Sequence, residues 1–166
     1  SYDLMLNFNK KNEAKKYQVL KKVETLIAYI NKNPLVKKTT SLCEKIKDYN
    51  QAQNYDEKYY NFIPKNKYVL NYLISQYERD SKKQARKWID QDHSMLRIFI
   101  ERKNYNAQEF LEHMRNLDKK INTLFPAKEY LGFKHVIVGN IVQFSIMNQY
   151  ITIGLLRSFG FAILVV

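Results

Sequence analysis

The chain opens on a strict alternation. Tyr2, Leu4, Leu6 and Phe8 fall on one face and Asp3, Met5 and Asn7 on the other, which predicts a half-buried strand over residues 2–8. The period then changes. From Glu13 to Asn31 the apolar residues Ala14, Tyr17, Leu20, Val23, Leu26 or Ile27, and Ile30 recur at three- and four-residue steps, the pattern of an amphipathic helix with a Lys-rich outer face. Asn33-Pro34 ends it, because proline restricts the residue before it and cannot continue the helix. Val36 to Thr40 reads as a short second strand. Ser41-Leu42-Cys43-Glu44 has the form of a capping box and opens a short helix to about Asp48.

The middle is less regular. Tyr49, Tyr55, Tyr59, Tyr60, Tyr68, Tyr72 and Tyr77 crowd it, and Leu70, Leu73, Ile74 and Tyr77 predict a helix from about Lys67 to Glu78. Alternation returns from Ser94 to Arg102, with Leu96, Ile98 and Ile100 opposite Met95, Arg97, Phe99 and Glu101. Asn106, with Glu109 three residues on, caps a helix whose apolar face is Phe110, Met114, Leu117, Ile121 and Leu124; Pro126 stops it. His135 to Val138 forms a fourth strand, ending at Gly139, and a last helix leads into an apolar tail. Without its middle the order is strand–helix–strand, then strand–helix–strand. Two such units predict an α+β, ferredoxin-like split βαβ sandwich, carrying an inserted helical, Tyr-rich subdomain over about 43–92.

The tail changes the picture most. From Ile151 to Val166 the only charge is Arg157, and from Phe159 onward no side chain is polar. A helix apolar all round is deep core or lies in a membrane, and a spanning helix needs about 20 residues. The expectation is therefore a domain over 1–150 followed, over 151–166, by the first part of a transmembrane helix.

Composition adds three points. The 166 residues suit one domain with a real core. Lys and Arg outnumber Asp and Glu by 28 to 16, a net charge of +12, which favours anionic partners: nucleic acid or lipid head groups. The abundance of Lys, Asn, Tyr and Ile together also fits a compositional bias, and Lys dominates over the phosphate-reading Arg. A single cysteine, Cys43, excludes an internal disulfide and reads as a small buried hydrophobe rather than a nucleophile.

Catalytic signals are weak. His93, His113 and His135 lie far apart and lack metal-ligand spacing. Asp90-x-Asp92 reads as a solvated turn before a strand. No Gly-rich phosphate loop, Gly-x-Ser-x-Gly or CxxC is present. The sequence thus argues against an enzyme and names no catalytic, cofactor or metal residue; substrate-binding residues stay unassigned. The tyrosines read either as an aromatic platform or, the favoured reading, as packing of an insertion short of Leu and Val. Nucleic-acid binding has a specific counter-signal. A basic ferredoxin-like sheet is the RRM architecture, but the third strand reads MLRIFIER, with one aromatic, Phe99, and no glycine.

Several short patterns, taken in order, resemble a known family. They are Asn33-Pro34-Leu35-Val36, Thr40-Ser41-Leu42 before a short helix, Trp88-Ile89-Asp90 before a strand, the Phe125-Pro126 stop, and Gly139-Asn140 followed by Met147-Asn148-x-Tyr150-Ile151 and Arg157-Ser158. Together they resemble an extracytoplasmic loop of RND-superfamily transporters, nearest the MMPL-like group of predicted exporters. A glutamine expected shortly before Ser158 is missing, and the middle is unusually basic and Tyr-rich. The resemblance implies a porter domain on the periplasmic side of the inner membrane, within a proton-driven exporter of lipid or other hydrophobic substrates. Its partners would be the transporter's own transmembrane helices and second porter domain. A cargo pocket is expected between the sheet and the insertion. The alternatives are a basic nucleic-acid-binding module and a non-transporting lipid-binding domain of a membrane assembly.

Overall fold

The computed structural model describes residues 1–104 and 106–140, with Met147, Ile151 and Ile153 beyond them. Ten elements follow in order: β1 (Tyr2–Asn7), α1 (Tyr17–Asn31), β2 (Val36–Ser41), α2 (Leu42–Gln53), a 3-10 turn (Lys58–Tyr60), α3 (Lys67–Asp80), α4 (Lys82–Ala85), β3 (Met95–Arg102), α5 (Ala107–Leu124) and β4 (Lys134–Val138). The four strands form one sheet in the order β2-β3-β1-β4, every neighbouring pair antiparallel. Each βαβ unit therefore spans a gap that the other unit's first strand fills, which is the ferredoxin-like sandwich. Apart from the three isolated positions, the expected last helix and apolar tail lie outside the described residues. Among the described residues no helix is long and apolar enough to cross a membrane.

The alternation of each strand decides which face is buried. Tyr2, Leu4, Leu6 and Phe8 from β1 and its end, with Leu96, Ile98 and Ile100 from β3, are at most 2% exposed. Against them lie Val19, Leu20, Val23, Leu26 and Ile30 of α1 and Phe110, His113, Leu117 and Ile121 of α5, all buried. The Tyr2 and Phe110 rings meet edge-on, centroids 5.6 Å apart, a favoured aromatic geometry.

Helix α1 starts at Tyr17, four residues later than its periodicity predicts. The backbone of the preceding loop is bonded elsewhere: Asn12 N–H donates to Asp92 C=O, and Ala14 N–H to His93 C=O, both at 2.9 Å. Those long-range bonds outcompete a first helical turn. Helix α2 runs five residues past Asp48. Its buried Asn50 donates to the carbonyls of Tyr60 and Phe62 at 2.7 and 3.1 Å, giving a polar stretch a partner that periodicity cannot see. The capping box at α5 is present: Glu109 N–H donates to the Asn106 side chain at 2.9 Å, and Asn106 N–H to the Glu109 carboxylate at 3.4 Å.

The insertion is not a separate body with its own core. Ile63, Leu70, Leu73, Ile74, Tyr77, Ala85 and Ile89 join the same continuous buried cluster as the sheet and α1. Cys43 belongs to it as well, 1% exposed, with its thiol 3.6 Å from the Leu20 carbonyl. Burial pushes that thiol up to about 12. Because the thiolate is the reactive form, Ellman's reagent is expected to leave the folded chain untouched and to titrate one thiol once urea unfolds it. Stoichiometric reaction of the native chain would show that Cys43 is not enclosed.

Candidate functional site

Helices α1 and α5 cover one face of the sheet; the opposite face carries the other half of each alternation. Register places Asp3 opposite Phe99 and Val138, and Met5 opposite Arg97 and Val136. Asp3 and Arg97 are thus diagonal neighbours on adjacent strands, close enough for long side chains to meet. The guanidinium grips the carboxylate through two bonds, Nε to Oδ1 at 2.8 Å and Nη2 to Oδ2 at 3.0 Å. Paired forks of this kind combine charge with fixed geometry. The Trp88 ring lies against the same guanidinium, 5.9 Å from its carbon to the ring centre.

Beside this pair lies an open cavity of about 430 Å³, floored by Asp3, Met5, Met95, Arg97 and Val138 and walled by Arg86 to Asp90. The wall is braced from behind. Glu78 of α3 accepts a 2.6 Å bond from Arg86 and faces His93 Nε2 at 2.8 Å, and Arg86 also donates to the Asp90 carbonyl at 3.1 Å. Asp90 closes the turn into β3 by accepting from Ser94 N–H, the Ser94 hydroxyl and Met95 N–H, at 2.7–2.8 Å. Burial raises the pKa of Asp90, but the bonds from Met95, Ser94 and Asp92 outweigh it and hold the carboxyl below its ordinary value.

The surroundings of the cavity are mainly apolar, since Val136 and Val138 are more than half exposed on the same face. Its one floor cation is already matched by Asp3. Such a surface suits an apolar ligand or a neighbouring protein domain better than a free anion.

This cavity lies between sheet and insertion, the position at which the resemblance leads one to look for a pocket, but no tyrosine of the insertion lines it. The tyrosines divide instead. Tyr49 and Tyr77 pack edge-on, centroids 5.3 Å apart, as the favoured reading expects. Tyr55, Tyr59, Tyr68 and Tyr72 are 96%, 81%, 82% and 53% exposed, which corrects that reading for these four. They sit on turns and on the outer side of α3, where no further layer among the described residues covers them. The histidines stay apart, each with its own partners: His93 on Glu78, His113 on Tyr2 and Asn33, His135 on Asp118. The Asp92 carboxylate pairs with Lys11 at 3.2 Å. Among the described residues, no three His, Cys, Asp or Glu side chains converge as a metal site would require.

Sequence reasoning missed the Asp3–Arg97–Trp88 group. The available signal was that a lone acid and a lone arginine occupy the polar phase of two strands; their adjacency depended on register. No protein-family model matches the chain, and no curated protein sequence matches it.

Proposed function

We propose that this chain is a porter-type extracytoplasmic domain of a proton-driven, RND-like transporter of the MMPL-like group, lining an export path for a lipid or other hydrophobic substrate. The observation that carries the reading is where the sheet starts and stops. Asp3, near the start of β1, pairs with Val138, the last residue of β4, so the chain enters and leaves the sandwich side by side. The insertion sits at the other end, reached from Ser41 and left at Met95. A domain looped out of a membrane protein needs adjacent ends of this kind, and the apolar run from Ile151 follows the exit strand. The insertion would then point away from the membrane.

In this reading the open sheet face, with its apolar rim and internally matched ion pair, borders the path or the second porter domain. The braced wall moves with the sheet as one body when the membrane helices rock. The coupling carboxylates belong to those helices and have no counterpart on this domain.

The test uses Tyr59→Cys in the native gene. Tyr59 is exposed, whereas Cys43 is enclosed and silent. The expected result is a membrane-bound protein that a membrane-impermeant maleimide labels in intact cells more strongly than it labels the unsubstituted protein. A soluble protein labelled only after lysis would overturn the proposal. The +12 charge would then direct attention to salt-dependent nucleic-acid binding.

A further inference from the structure

A second cavity, sharing no lining residue with the one on the open sheet face, has different chemistry. It lies where the start of α1 meets the start of α3, encloses about 530 Å³, and is lined by Lys15, Lys16, Lys65 and Lys67 around Tyr17 and Leu70. That volume falls within the range of small-molecule sites, roughly 300–1,000 Å³. No acidic residue lines it. Lys16 pairs with Glu13 at 2.6 Å, while Lys15, Lys65 and Lys67 make no ion pair with the described residues. Of the other lysines, Lys21 and Lys47 share Glu24, Lys22 meets Glu129 and Lys37 meets Glu101, while others, Lys82 and Lys83 among them, also make no ion pair with the described residues.

The concentration is not balanced by acids of the helices that carry it. Neither α1 nor α3 carries an acidic residue in its first turn, so lysines crowd the positive ends of two helices. Nothing in the packing requires them, because Lys16, Lys65 and Lys67 are exposed. Places that break a local rule in this way are where functional or strained sites are expected. The floor is different: Leu70 is 2% exposed and belongs to the core, and the half-buried Tyr17 packs against that core.

We infer that this cavity binds an amphiphilic anion, a phosphate monoester with a short apolar body, its phosphate among Lys15, Lys65 and Lys67 and its apolar part over Tyr17 and Leu70. The inference does not rest on the porter reading; the cavity is built from residues of this domain alone. The ester has two sources, a free soluble compound or a lipid head group.

The 166-residue chain, ¹⁵N-labelled, is titrated with octyl phosphate, inorganic phosphate and octyl glucoside below their micelle concentrations. Octyl phosphate is expected to shift the Tyr17 and Leu70 amides saturably, at least tenfold more tightly than either control. Lys65→Gln/Lys67→Gln is expected to weaken it tenfold or more, and Lys82→Gln/Lys83→Gln, an equal charge change elsewhere, to leave it unchanged. Equal affinity for inorganic phosphate or octyl glucoside would overturn the inference, as would equal weakening by the two variants or no saturable binding. Phosphatidic acid vesicles separate the sources. Octyl-phosphate-competed binding that the 65/67 variant alone loses identifies a lipid head group; failure of such competition, with octyl phosphate still bound, identifies a free ester.

Discussion

Phe110→Ala is expected to destabilise the fold by about 3–5 kcal/mol, the range for removing a large aromatic ring from a packed core. Phe110 is fully buried, on the face of α5 that lies on the sheet, and its ring meets Tyr2 of β1 edge-on. The loss combines transfer of the ring, the cavity left behind and the aromatic contact. The substitution also removes a link between the first strand and the second βαβ unit, so relaxation of one layer cannot close the gap. A domain of this size holds a total stability of about 5–15 kcal/mol, so the variant would keep only part of it. At about 2–4 °C per kcal/mol, the melting temperature is expected to fall by roughly 6–20 °C. Urea unfolding followed by circular dichroism measures it; a loss below about 1 kcal/mol would place Phe110 outside the core.

Acid is expected to weaken the fold well before the carboxylates titrate, through His113. This ring is 5% exposed beneath the sheet. The orientation of Asn33 fixes its tautomer. The Asn33 side-chain oxygen accepts from Leu35 N–H at 2.9 Å, so its NH₂ group faces His113 Nδ1 at 2.7 Å and donates to it. Nδ1 is therefore bare, and in the neutral ring Nε2 carries the proton toward the Tyr2 hydroxyl at 2.6 Å. A second proton on Nδ1 would set donor against donor.

Burial lowers the pKa of His113 below its ordinary value. The unfolded chain, near 6.5, then binds more protons than the folded one. The neutral ring's contribution is complete above about pH 6.5 and is lost as pH falls toward the folded value, at up to about 1.4 kcal/mol per pH unit. Unfolding free energies from pH 7.5 to 5 are expected to show this slope in the native chain and in His93→Gln and His135→Gln. His113→Phe should lose the slope, while costing about 1–3 kcal/mol at pH 7 because Asn33 and Tyr2 each lose a buried partner. A slope that survives in His113→Phe would assign the titration to another group.

The elements were legible because each sits on a local period. The β1 alternation from Tyr2 to Phe8, the α1 stripe through Leu20, Val23 and Ile30, and the Asn106–Glu109 box needed no distant information. The order of strands and helices then left the split βαβ sandwich as the expected fold, and the antiparallel order β2-β3-β1-β4 realises it. His113 shows the limit of that reading. It stands three residues from Phe110 and four from Leu117, on the buried stripe, but the apolar pattern left it out, and its partners Asn33 and Tyr2 are distant in sequence.

Local pattern was enough for the fold class, the place of the insertion, the buried faces of β1 and β3 and the basic charge. These follow from side-chain periodicity and turn chemistry, which act over a few residues. The tertiary structure alone decided which polar groups meet. Asp3 and Arg97 are 94 positions apart and come together through strand register. The lysines at 15–16 and 65–67 come together because two helices begin at the same corner. It also decided which tyrosines pack and which stay bare, since packing requires a second surface and the outer side of α3 has none among the described residues. Periodicity shows which face turns inward; only the closed fold supplies what that face, or its opposite, will touch.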